Sequence, residues 1–190
     1  MANAALWWRA PRHAGIAEGE TQPMRRSIVG VMGAAACDAA TYATARELGR
    51  RLGAAGYVLL CGGGTGVMEA AARGAEESGG LTIGILPGRD AGESPPNPYI
   101  QVPLFTGISY ARNWVNVVAS DVLVAVAGEL GTLSEIALGL KCGKPVILLE
   151  SWRFEMPGFT PPPNLHRVAT PEAAVARIRE LLPSVPNPGP

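Results

Sequence analysis

Three glycine-bearing turns carry the residue types best suited to hold an anion: Gly33 to Asp38, Gly62-Gly63-Gly64-Thr65-Gly66, and Gly128-Glu129-Leu130-Gly131. Each follows a short apolar run and leads into a segment of helical spacing. In that setting unpaired backbone N–H groups and the positive end of a helix dipole converge beyond the strand end, and phosphate is the natural ligand. The second turn has glycine at four of its five positions, so its backbone can approach a phosphate closely and its amides can form a nest. No Lys-Ser or Lys-Thr follows it, as a P-loop would require, and no acidic residue ends a second strand about 20 residues on, as a dinucleotide fingerprint would. The plainer alternative for every turn is a tight connection without a ligand.

Beyond the third turn, Thr132-Leu133-Ser134-Glu135 fits a capping box, with the Thr132 hydroxyl capping a helix and Glu135 reaching back to the Thr132 N–H. Arg112 sits near the start of another helical segment, where it reads as a solvated cation or a carboxylate partner. The candidate ligand-binding residues are therefore Gly33, Gly62, Gly63, Gly64, Thr65, Gly66, Gly128, Glu129, Gly131 and Thr132. The only histidines are His13 and His166, so neither histidine catalysis nor a histidine-rich metal site is expected. Cys37, Cys61 and Cys142 are far apart with no CxxC pair, which argues against a metal site and for a reducing cytoplasm.

The elements that must position these residues alternate regularly. Ser27 to Met32, Tyr57 to Leu60, Leu81 to Leu86, Asp121 to Val126 and Val146 to Leu149 read as strands, with a further short strand at Tyr99 to Val102. Helical spacing covers Thr41 to Ala55, Val67 to Ser78, Ser109 to Ala119, Thr132 to Lys141 and Pro171 to Leu182, and Arg89 to Pro98 is the longest polar internal loop. Strands that are apolar throughout, separated by helices, indicate a parallel sheet covered on both faces. The expected fold is α/β: a single Rossmann-like, doubly wound parallel sheet in one domain over residues 27–183. Residues 1–26 and 184–190 are expected to be mobile.

Composition limits the classes of partner. The chain has 190 residues, of which 47% are apolar, with 16 basic and 16 acidic side chains for a net charge of zero. That excludes a nucleic-acid reader built on bulk positive charge and a disordered chain of low hydrophobicity. The longest apolar run, Val115 to Val126, contains Asn116 and Asp121 and is too short for the roughly 18 residues of a membrane span. Trp7-Trp8 near the start are not flanked by the basic and uninterrupted apolar regions of a secretion signal.

From Ser27 to Leu149 the sequence resembles the LONELY GUY, or "lysine decarboxylase-like", group of Rossmann proteins. The resemblance rests on Gly62-Gly63-Gly64 followed by Gly66-Val67-Met68, on Arg112-Asn113, and on Ala127 to Glu135, which parallels the group's P-G-G-x-G-T-x-x-E. The stretches GGGTGVMEAAARGA, TIGILPG and GTLSEIALGLKCGKPVI are most similar to a bacterial branch that includes molybdenum-cofactor carrier proteins. No lysine lies in a pyridoxal-phosphate motif, so decarboxylation is not implied.

The resemblance implies a hydrolase that cleaves the N-glycosidic bond of purine, cytokinin-type nucleoside 5′-monophosphates to free base and ribose 5-phosphate, with no cofactor required. Arg112 and Glu135 would be its catalytic pair, the carboxylate stabilising charge on the ribose or positioning water. The alternative is a non-catalytic carrier of a phosphorylated pterin such as the molybdenum cofactor, using the same turns and leaving Glu135 as a cap. Family members are dimers or larger, and the helix at Ser109 to Ala119, with Trp114, Val115, Val117 and Val118, is either the contact surface or packed on the sheet. Two positions depart from the group's pattern. Ala127 replaces a proline that stiffens the turn, and Glu129 replaces a glycine, placing negative charge beside the phosphate site unless it points away or pairs with Lys144 or Arg89.

Overall fold

The computed structural model describes residues 25–154, 158 and 160–182. The segments expected to be mobile therefore lie outside the described residues, apart from Arg25 and Arg26. Seven strands, β1 (Ile28–Gly33), β2 (Val58–Cys61), β3 (Thr82–Leu86), β4 (Val102–Phe105), β5 (Val122–Val126), β6 (Val146–Leu149) and β7 (Leu165–Val168), form one sheet in the order β4-β3-β2-β1-β5-β6-β7. Every pairing is parallel. The order reverses between β1 and β5, which makes that seam the topological switch point of an α/β Rossmann-like fold.

Among the described residues the crossovers supply four α-helices, α1 (Ala39–Ala54), α2 (Val67–Glu77), α3 (Arg112–Ala119) and α4 (Leu130–Lys141), and a fifth, α5 (Pro171–Leu181), follows β7. Side chains alternate along the central strands as the pleat demands. In β5, Val122, Val124 and Val126 join the core with α1, α2 and α5, while Leu123 and Ala125 face a second core with Val117 of α3 and Ile136 of α4. Burying such side chains is worth roughly 1.5–3 kcal/mol each, and this two-sided burial is why β2, β5 and β6 read as unbroken apolar runs. The helices α1 and α2 pack backbone against backbone: a Cβ on Gly49 would lie 1.9 Å from the Ala71 carbonyl oxygen. Among the described residues no helix is long and apolar enough to cross a membrane.

Two edges differ from expectation. The short strand lies at Val102–Phe105 rather than at Tyr99 to Val102, because Thr82 Oγ1 donates to the Tyr99 carbonyl and accepts from the Gln101 N–H, holding that segment in a turn. The strand β7 carried no clear sequence signal, since at the sheet edge Leu165, His166 and Val168 are only half-buried and Arg167 is exposed.

Candidate functional site

The sheet order places the carboxyl ends of β2, β1 and β5 side by side, so the three glycine turns share one edge. A cleft of about 310 Å³ opens there. Met32 to Ala35 form its β1 wall, Gly62 and Met68 its β2 side, and Tyr110, Arg112 and Asn113 its α3 side; Glu129, Gly131, Thr132 and Glu135 close it from α4. Of the residues singled out by sequence, Gly33, Gly62, Arg112, Glu129, Gly131, Thr132 and Glu135 thus meet in one cavity. Gly63, Gly64, Thr65, Gly66 and Gly128 do not line it.

Arg112 opens α3, and its guanidinium lies directly on Gly62: a Cβ there would fall 2.3 Å from Nη1 and 2.6 Å from Nη2. Glycine at 62 is thus what admits the cation. Its side chain is only 16% exposed, and Nη1 lies 3.9 Å from Glu135 Oε1. That distance is an ion pair at its outer limit rather than a bidentate fork, which leaves the guanidinium N–H groups available to a ligand. Glu135, with a side chain 7% exposed, accepts a 2.6 Å hydrogen bond from Asn116 Nδ2. Burial pushes its carboxyl above the ordinary carboxylate range, against the opposing effects of Asn116 and Arg112.

The capping box is not formed. The helix α4 begins at Leu130, with extended Glu129 at the N-cap and no side-chain cap. Thr132 is therefore in the first turn and buried, and Glu135 lies in the second turn, too far along the helix to reach back. Its partner comes instead from α3, across the cleft. The pattern T-x-x-E also fits a helix that starts two residues earlier, and tertiary contacts select that register. With no side chain capping it, the first N–H groups of α4 lack intrahelical acceptors, and Gly131 in that turn has open space where a Cβ would be.

Glu129 is exposed on the rim and pairs with neither expected cation. Arg89 pairs with Glu93, and Lys144 Nζ donates to the Val118 and Ser120 carbonyls at the amino end of β5. Ala127 adopts φ +46, with Ser151 Oγ donating to its carbonyl oxygen, so the turn takes a conformation that a proline ring forbids. The Gly62–Gly66 turn is braced on two sides: Asn97 Nδ2, outside the cleft, donates to the carbonyls of Gly63 and Gly64, and Thr65 Oγ1 donates to that of Ala35 in the β1 wall. Below it, Cys61 is fully buried, and burial pushes its thiol up to about 11, so it offers no thiolate.

Sequence reasoning missed Asn116, Met32, Met68 and Tyr110. The available signal for Asn116 was its place four residues after Arg112, which puts it, with Asn113, among the polar residues on the buried face of an otherwise apolar helix. The helix α3 is not wholly a contact surface either: Val117 is buried, Val115 and Val118 are half-buried, and Trp114 alone of the four apolar residues is exposed, at 49%. A larger cleft, about 540 Å³, lies at the ends of β6 and β7 against Arg153 and Arg167 and contains none of the candidate residues.

The match to a family model described as the SLOG cluster4 family covers residues 26–175. An uncharacterized protein of Archaeoglobus fulgidus is 40% identical over 141 residues, 70% of this chain and 91% of that protein. Among solved structures, the molybdenum cofactor binding protein of the phototrophic bacterium Rippkaea orientalis is 36% identical with a TM-score of 0.74, over 83% of this chain and 98% of that one. The molybdenum cofactor carrier protein of Chlamydomonas reinhardtii is likewise 36% identical, with a TM-score of 0.72 over 83% of this chain and 98% of its own.

Proposed function

The chain belongs to the SLOG cluster4 family, and from that premise we propose that it binds a phosphorylated pterin of the molybdenum-cofactor type as cargo and carries it without turnover. The observation that carries this reading is the convergence on one cleft of the Arg112 guanidinium, seated on Gly62, and the uncapped N-terminus of α4. A planar fork of donors beside a helix N-terminus fits a phosphate. Gly33, Gly62, Gly131 and Thr132 shape its seat, while Gly63, Gly64, Thr65, Gly66 and Gly128 set the turns behind it. The similarity to molybdenum cofactor carrier and binding proteins supports the choice of cargo.

A second reading, hydrolysis of nucleoside 5′-monophosphates, is favoured by the juxtaposition of Arg112 with Glu135, whose raised affinity for a proton suits a general acid. The two readings separate on turnover. Purified protein is incubated with several nucleoside monophosphates, with chromatography for free base, and in parallel with molybdenum cofactor released from a molybdoenzyme, measuring retention of the cofactor by the protein. Retained cofactor without free base is expected. Free-base release that disappears in Glu135→Gln would replace the carrier reading with the hydrolase. We further propose homo-oligomerisation through the exposed Ile108, Trp114 and Leu130 near the cleft mouth, which sedimentation velocity tests.

A further inference from the structure

Tyr110 lines the cleft yet is 86% exposed, the most exposed large apolar side chain among the described residues. It sits in a single 3-10 turn, Ser109–Ala111, immediately before Arg112. On its N-terminal side Gly107 and Ser109 both have positive φ, +66 and +51, which turns the chain sharply and carries the ring onto the rim. Met32 and Met68, 2% and 9% exposed, line the same cleft, and methionines are soft residues that pack well against an aromatic face. The cleft therefore has a cationic group, Arg112, and an apolar part lined by Met32 and Met68 with the Tyr110 ring at its mouth.

Asn113, 8% exposed, lines the same cleft. Ser134 Oγ donates to the Gly131 carbonyl at 2.7 Å, so its only hydroxyl hydrogen is committed. Toward Asn113 that oxygen must accept, which forces Asn113 Nδ2 onto it at 2.8 Å. The amide cannot flip without losing this contact, and Oδ1 is left as the acceptor with no protein partner among the described residues.

Resting on the pterin-binding reading, we propose that Tyr110 stacks on the ligand's planar ring while Asn113 Oδ1 accepts a hydrogen bond from an amino group on its edge. The ligand class is then a phosphorylated bicyclic heterocycle bearing an exocyclic amine. An oxo group at the same ring position would oppose Oδ1 with a second acceptor and lose the contact.

The test uses isothermal titration of the full chain with three probes: a pterin monophosphate, the lumazine monophosphate that differs in carrying oxo for amino, and ribose 5-phosphate, which has no ring. Wild type is expected to bind the pterin compound at least tenfold more tightly than either other probe. In Tyr110→Ala the pterin affinity should fall about tenfold, the scale of losing one base–aromatic stack, with ribose 5-phosphate unchanged and Tyr110→Phe close to wild type. Equal pterin and lumazine affinities would overturn the role of Asn113. Pterin affinity unchanged in Tyr110→Ala, or lost equally for pterin and ribose phosphates, would overturn the role of Tyr110, as would conversion of an oligomer to a monomer with intact pterin affinity. These failures leave pterin binding by the wild type standing, whereas a wild type that binds no pterin phosphate overturns the inference and the carrier reading together.

Discussion

After β2, the glycines are demanded by the protein's own atoms. Gly66 has φ +64, and a Cβ on it would lie 2.6 Å from the carbonyls of Ala34 and Ala35; Gly63 has φ +75 and presses on Leu86. After β5, Gly131 has nothing within 4 Å of the place a Cβ would occupy, and it lies in the first turn of an uncapped helix facing the cleft. The two turns look alike in sequence, and the denser one attracts attention. In space the first is a packed joint with one functional position, Gly62; the second is packed at Gly128, which has φ +113 and Thr132 Cγ2 2.5 Å from the place of a Cβ, and leaves room only at Gly131. Glycine density therefore reports how closely chains approach, and only the surroundings show whether the approaching group is protein or ligand.

Substitution by alanine should split the two turns. Gly66→Ala forces a side chain into a glycine-only backbone region and against two carbonyls, and should cost about 3 kcal/mol or more of stability, roughly 6–12 °C in melting temperature by thermal denaturation. Gly131→Ala should leave the melting temperature within about 2 °C, since alanine suits a helix better than glycine, while weakening pterin phosphate binding about tenfold in a titration. A well-tolerated Gly66→Ala, or a Gly131→Ala that binds normally, would erase the distinction.

Charge on the rim gives a smaller effect. Glu129 is exposed and faces the site where phosphate is proposed to sit. Glu129→Gly should tighten pterin phosphate binding about threefold to fivefold at low salt, and the gain should shrink at 1 M salt as screening removes it. A loss of affinity in this variant would make Glu129 a ligand contact.

The smallest effect is a slope. Because Glu135 holds its proton to higher pH in the folded protein than in the unfolded chain, the native state retains a proton that the unfolded state has released between the two values. Stability should accordingly decline as pH rises from the ordinary carboxylate range through the folded value, and level off above it. Glu135→Gln keeps an acceptor for Asn116 and removes the ionisation, so this component of the decline should vanish from melting curves taken between pH 4 and 8. An identical slope in wild type and variant would mean that Glu135 is not desolvated as the fold requires.

The layer order and the position of the turns were legible because central strands buried on both faces leave an unmistakable apolar run, as in β5. The edges were not: Leu165 to Val168 is only partly buried, and Tyr99 to Gln101 is diverted by the Thr82 hydroxyl. Within the site, Arg112 and Glu135 could be nominated from sequence, and the structure brings them together. The register of α4 could not, since T-x-x-E satisfies a local capping rule whose competitor is Asn116 on α3. Tyr110 was equally hidden, because an exposed aromatic acquires meaning only from the cleft beside it.

Arg112 is the residue on which the account turns, and equilibrium titration of wild type and Arg112→Ala with the molybdenum cofactor measures its role directly. Wild type should bind one equivalent per chain, and removing a charge-assisted fork to the phosphate should weaken binding by about 10–100-fold, with the far-UV circular dichroism unchanged. Equal affinity of the two folded proteins for the cofactor would contradict the placement of its phosphate at Arg112 and the α4 N-terminus.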